Sequence, residues 1–273
     1  MMSRAGPVET VLHTRGVSDV YVMPATVRNA VQRGFTQHLH RTSHLANFFG
    51  NTEEMRITLP SGTEAELVKH SNPKMGLVIA PDIFGLRPLF DNMVQTLSDA
   101  WQMSVIAVEP FPGRGFGPEI EPRKAAIPEL KDTDAIGDLH AAADALGTQV
   151  TGLLGFCMGG MYCFKAARDE RFARIASFYG MIVMPPEWKG AGHQEPLANL
   201  INGYADNVLA ILGGHDPYTP EADIAQLRAT GAQIVFYPDA EHGFAHDASR
   251  PSHREDDAAD AFARTQAWLL SAL

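Results

Sequence analysis

Basic residues are outnumbered in this chain. There are 22 Lys and Arg against 32 Asp and Glu, a net charge of −10. A protein that grips a phosphate backbone needs concentrated Lys and Arg, and no such cluster occurs, so nucleic acid is excluded as the expected partner. Long apolar runs are also missing: none approaches the ~20 residues that span a bilayer. The opening stretch, MMSRAGPVETVLHTRG, has no apolar signal-peptide core. Cysteine is scarce, with Cys157 and Cys163 the two present. If a helix joins them, their spacing puts them on different faces, which excludes a simple disulfide. Together these absences predict a reduced, cytoplasmic protein with neither membrane nor nucleic acid as partner. No internal repeat is visible either.

What the chain does have is a large core. Of 273 residues, 45% are apolar and 20% charged, which suits a soluble globular protein. Residues 1–54 are mixed and weakly periodic, and hold His13, His38, His40 and His44. His40 and His44 are spaced to share a helical face. No glutamate motif or third ligand accompanies them, so no metal is expected. From Met55 onward strands and helices alternate. MRITL and EAELVKH read as a hairpin. MGLVIAP and MSVIAVEP read as strands covered on both faces. In RPLFDNMVQTLSDAW, Leu89, Phe90, Met93, Val94 and Leu97 share a helical face, with Pro88 in the first turn. DTDAIGDLHAAADALG is a second helix, with Ile136, Leu139, Ala143 and Leu146 inward and Gly147 as its stop. QVTGLLGF, RIASFYG, VLAILGG and AQIVFYPD are further strands, PEADIAQLRAT a helix, and DAADAFARTQAWLLSAL a closing helix. This alternation predicts an α/β fold: a mostly parallel central sheet with helices on both faces.

One stretch carries chemistry. In GFCMGG, residues 155–160, a strand runs into a helix through a cysteine flanked by glycines. Small neighbours relieve the crowding at such a corner, and the turn lifts the sulfur clear of the sheet. Ligands of parallel sheets bind beyond the carboxyl ends of the strands. Asp216 and His242 follow two later strands and are expected at that same edge. The chain order nucleophile, acid, histidine is that of the α/β-hydrolases, with Cys in place of Ser. On this reading Cys157 attacks an acyl carbonyl, His242 takes its proton, and Asp216 fixes the imidazole tautomer. The backbone N–H groups of Met158 and Ile83 are expected to form the oxyanion hole. Cys163 reads as a small core residue. PGRGFG at 112–117 reads as a loop near the rim of the site, because no helix start follows it directly. VMPPEWKGAGHQEP is a long excursion between strands. It reads equally as a surface loop or as a lid or pocket wall anchored by Trp188.

From about Met55 to its end the chain resembles the dienelactone hydrolase family, through VIAPDIFGL, GFCMGG, GGHDPYTP and YPDAEHGFAHD. The resemblance implies an α/β-hydrolase domain over 55–273, with 1–54 as an N-terminal extension. It implies hydrolysis of a small ester or lactone by a Cys-His-Asp triad, with no metal or organic cofactor. It makes no statement about oligomeric state. Two departures stand out. Asp82 replaces the Glu that in the family lies near the thiol and helps control its ionisation, and it is one methylene shorter. His246 stands where the family's type enzymes carry an Arg for a substrate carboxylate, so a fixed bidentate clamp is lost. Arg87, Arg114 and Arg123 are the substitutes the chain offers. Without a substitute, neutral short-chain esters are expected to react at least as well as anionic lactones. A general carboxylesterase or thioesterase is the alternative enzyme. A non-catalytic hydrolase-fold module is the alternative of another class, and it would predict a broken triad.

Overall fold

The computed structural model describes residues 52–273. The His40 and His44 pair, and all of 1–51, lie outside the described residues. The expected hairpin forms between β1 (Thr52–Thr58) and β2 (Glu64–His70), paired antiparallel from Thr52↔His70 to Thr58↔Glu64. Its loop closes with Leu59 N–H donating to Thr63 O at 2.8 Å and Gly62 at φ 92°. The strand thus starts three residues before the boundary expected at Met55, because Glu53 and Glu54 pair with Lys69 and Val68.

Six more strands follow: β3 (Gly76–Ala80), β4 (Ser104–Val108), β5 (Thr151–Phe156), β6 (Arg174–Phe178), β7 (Val208–Gly213) and β8 (Gln233–Tyr237). The sheet order is β1-β2-β4-β3-β5-β6-β7-β8. Neighbours among β3–β8 are parallel, and β2 joins β4 antiparallel. The helices are α1 (Pro88–Trp101), α2 (Glu121–Ala126), α3 (Asp132–Leu146), α4 (Met158–Ala166), α5 (Pro196–Ile201), α6 (Glu221–Arg228) and α7 (Glu255–Leu270). Successive strand residues point to opposite faces, so each central strand feeds two cores. In β3, Val78 and Ala80 join Leu139 of α3, Phe164 of α4 and Leu227 of α6. Leu77 and Ile79 instead join Phe90 of α1 and Phe262 of α7. That is why these strands read as unbroken apolar runs.

The helix faces follow the apolar spacing with small shifts. Leu89 and Ile136 are only partly buried, while Trp101 and Ala142 join the buried sets. Gly147 ends α3 at φ 66°, as expected of a left-handed stop. Helices α2 and α5 were not expected: six residues are too few for a 3.6-residue period to show. The excursion after β6 is fastened down. Its Gln194 N–H donates to Asp132 at 2.7 Å, and Asp132 also accepts from the buried Lys165 ammonium at 2.7 Å. Trp188 sits in a short 3₁₀ turn (Pro186–Trp188) with its side chain in the core. Its ring thus anchors the segment in the core.

Candidate active site

The corner between β5 and α4 is backbone strain held by packing. Cys157 adopts φ 55°, ψ −114°, a conformation that non-glycine residues rarely hold outside functional sites. The glycines around it are needed for space. A Cβ on Gly159 would lie 2.0 Å from the Ala80 carbonyl oxygen, and one on Gly155 would lie 2.3 Å from that of Gly159. Only glycine lets α4 start directly against the end of β3. The sulfur of Cys157 is half-buried; that of Cys163 is fully buried, and both thiols are free.

His242, in the loop after β8, links two groups. Its Nδ1–H donates to Asp216 Oδ2 at 2.8 Å, and the Cys157 side chain stands close enough to act on its charge. Asp216, buried in the turn after β7, accepts the Tyr218 N–H at 2.8 Å through Oδ1. Burial opposes a charge on His242, but the neighbouring Cys157 side chain and the Asp216 carboxylate outweigh it and push the imidazole up to about 10. The rings of Tyr179 and Tyr218 meet His242 at steep angles, with centroids 5.2 and 4.9 Å away.

The proposed oxyanion donors lie at the same junction. Met158 opens α4, where an N–H has no partner inside the helix. Ile83 follows β3 by three residues, and its N–H reaches no backbone acceptor among the described residues. A cavity of about 170 Å³ lies nearby, lined by Pro81, Glu109, Leu130, Gly159 and Tyr162 among others. Neither Cys157 nor His242 lines it, so it is not where an acyl group would meet the thiol.

Asp82 is not where the resemblance led. Oδ1 accepts the Phe84 N–H at 3.0 Å and Arg87 at 2.7 Å; Oδ2 accepts Arg87 and His246 Nε2–H, both at 2.9 Å. A carboxylate offers about four lone-pair directions, and all are used. Burial opposes its charge, but His246 and Arg87 outweigh that and hold the carboxyl well below the usual range. The expectation that Asp82 acts on the thiol is corrected: it has no lone pair left to offer.

His246 is corrected in the same way. Its ring is 0% exposed, stacked on Phe156 at 4.9 Å, with Nδ1 accepting the Tyr179 hydroxyl at 2.5 Å. It cannot meet a substrate carboxylate at a pocket mouth. Arg87 is committed to Asp82 and lies over the Phe84 and Phe90 rings. Arg114 pairs with Glu129 at 2.6 Å. Arg123 differs. It is nearly buried between the Phe84 and Phe116 rings, and both of its hydrogen bonds leave from Nη1, to the Gly117 and Glu119 carbonyls. Its Nε–H is buried without a partner, and no carboxylate pairs with it among the described residues. Tyr179, Tyr218 and the Phe84–Phe116 cage were missed in the sequence. Tyr218 stood inside GGHDPYTP, but nothing marked Tyr179 beyond its place at the end of a strand.

A cysteine on a strained strand-to-helix corner, with a histidine and an aspartate from two later strand ends, sits on an eight-stranded, mostly parallel sheet covered on both faces. These features define the α/β-hydrolase class. The chain matches the model of the dienelactone hydrolase family over residues 63–273 and belongs to that family. It is a hydrolase acting on ester bonds. It is 26% identical over 186 residues to carboxymethylenebutenolidase 2 of Cupriavidus pinatubonensis, covering 64% of this chain and 75% of that one. Its fold is similar to that of a dienelactone hydrolase-like promiscuous phosphotriesterase from metagenomic libraries. That match has a TM-score of 0.62 at 18% identity, over 81% of this chain and 99% of the other.

Proposed function

We propose that the chain is a cysteine-dependent hydrolase that cleaves a small ester or lactone through Cys157, His242 and Asp216. The observation that carries this reading is Cys157 at φ 55° on the β5–α4 corner, with Asp216 bonded to Nδ1 of an imidazole whose charge Cys157 also influences. The Cys157 thiolate adds to the acyl carbon, and the carbonyl electron pair moves to oxygen. The Ile83 and Met158 N–H groups hold that oxyanion. As the C–O bond breaks, the His242 imidazolium protonates the departing alkoxide. Water then adds to the thioester, His242 takes its proton, and the thiolate leaves. Each step uses side chains, two backbone N–H groups and water. A working thiol needs a reducing compartment, which supports a cytoplasmic place. Among the described residues no helix is long and apolar enough to cross a membrane.

Arg123 sharpens the substrate class. A buried guanidinium with an empty Nε–H edge is a costly arrangement unless a ligand completes it. One ring, Phe84, separates it from the loop that holds Ile83. We read Arg123 as the cation for a substrate carboxylate in the role expected of His246, and on that reading the substrate is an ester or lactone that carries a carboxylate. The test is kcat/KM on a neutral ester and on a carboxylated lactone, in wild type, Cys157→Ala and Arg123→Gln. Cys157→Ala should abolish both reactions. Arg123→Gln should cost the carboxylated substrate about 1.5–3 kcal/mol, or roughly ten- to a hundredfold, and spare the neutral one. Equal rates on the two substrates in wild type would remove the anionic part of the reading, and activity without Cys157 would remove all of it.

A further inference from the structure

The chain from Asp82 through His246 to Tyr179 holds no reacting atom, yet it is buried, fully paired and ends beside His242. We infer that Tyr179 is a positioning residue for His242, and that Asp82 and His246 act by holding Tyr179 in place. The inference rests on the reading of Cys157 and His242 given above.

The hydrogen positions follow from the partners. Asp82 can only accept, so His246 Nε2 carries the hydrogen that bridges them at 2.9 Å. Nδ1 of a neutral ring is then an acceptor, and the Tyr179 hydroxyl donates to it at 2.5 Å. Arg87 closes the outer end with two hydrogen bonds to Asp82. With this one assignment each polar side-chain atom of Asp82, His246 and Tyr179 has a partner. The reverse tautomer would set a bare nitrogen against a carboxylate.

Tyr179 has its own oddity. It is fully buried, directly follows β6, and stands at φ 41°, where a bulky side chain is uncommon. Its N–H donates to Ile211 O at 2.7 Å. This bend brings its ring to 5.2 Å from that of His242 at 63°. Asp216 fixes one nitrogen of His242, and pivoting about that bond is limited by the flanking rings of Tyr179 and Tyr218. A rigid neighbour on the ring removes the pivot, and the hydroxyl bond to His246 makes Tyr179 rigid. A lost ångström at a general base can cost up to about a hundredfold in rate without any contact to substrate.

The test compares Tyr179→Phe, His246→Leu, the double variant and Cys157→Ala. The readouts are kcat, KM, thermal midpoint and the rate of iodoacetamide alkylation at Cys157. Each single variant at 179 or 246 should lower kcat roughly ten- to a hundredfold with KM within about twofold, and slow alkylation in parallel. Each should also lower the midpoint, because a buried partner is orphaned. The double variant no longer orphans the Tyr179 hydroxyl but still withdraws one donor from Asp82, so its midpoint should rise above that of His246→Leu while kcat stays low. Recovery of both would mean the chain only satisfies buried polar groups, and the inference would be wrong. Wild-type kcat in the single variants would also overturn it. If a single variant fails to fold, the double variant decides alone. Inactive Cys157→Ala beside a fully active double variant would sink this inference and leave the proposed function standing. Active Cys157→Ala would sink the proposed function itself.

Discussion

Two aspartate–histidine pairs lie side by side here, and they hold their protons differently. Asp216 and His242 meet at 2.8 Å; Asp82 and His246 meet at 2.9 Å. Both rings are largely shielded from water, and burial pulls both toward neutrality. His242 is nevertheless pushed up to about 10, while His246 falls below its ordinary value. The difference lies in the company each pair keeps. His242 is raised by the Cys157 side chain and by Asp216, and no Lys or Arg shares Asp216 among the described residues. His246 faces one carboxylate that Arg87 already neutralises, and Arg87 and Arg250 both disfavour a further positive charge. A neighbouring aspartate alone therefore does not make a histidine a base. What else stands beside the ring decides, and for His242 that is first the Cys157 side chain and then Asp216.

The largest effects should come from uncharging one aspartate and taking the cation from the other. Asp216→Asn should remove the tautomer control of His242 and lower kcat by roughly 10⁴-fold with little loss of stability. Arg87→Gln should do the reverse, because it leaves Asp82 half-paired inside the fold. Breaking a buried pair from one side costs about 3–5 kcal/mol, which chemical denaturation would read directly. A stable Arg87→Gln variant would mean that Asp82 takes its charge from elsewhere.

Smaller effects follow with pH. His242 is pushed up to about 10, so the imidazolium that the proposed mechanism uses to protonate the leaving group is present through neutral pH and lost as pH rises through that value. Ester hydrolysis should be flat from pH 7 to 9 and fall near 10, whereas alkylation of Cys157, which needs no acid, should not fall. Parallel profiles for the two reactions would contradict the role given to His242. Asp82 is depressed below its unfolded value of ~3.9. Its stabilisation is therefore complete above about pH 4 and is lost only as pH falls further, through its folded value. The gap in thermal midpoint between wild type and Asp82→Asn should be widest near neutrality and close in acid. A gap independent of pH would show that the carboxylate charge is not what stabilises the fold.

The frame of the site was legible in the sequence for local reasons. Buried strands must be apolar on both faces, so β3 to β7 announced themselves. A strained corner needs glycines at fixed offsets, so GFCMGG did too. The order of Cys157, Asp216 and His242 reflects where parallel strands end. His246 was misread because its role is set at long range. Its partners, Tyr179 and Asp82, lie 67 and 164 residues away, and a loop histidine four places after another carries no sign of which way it points. The same holds for Arg123: its value as a cation depends on lacking a carboxylate, and three-dimensional neighbours alone decide that. Asp82 was misread by analogy, since the bond to Arg87 spans only five residues and could have been weighed.

One measurement tests the central claim most directly. An activated aryl ester is mixed with enzyme, quenched in acid during the first turnover, and the acylated peptide is located by mass spectrometry. The account predicts a burst of one phenol per active site and an acyl thioester on Cys157, with neither in Cys157→Ala. An acyl group on another residue, or an undiminished burst in Cys157→Ala, would contradict it.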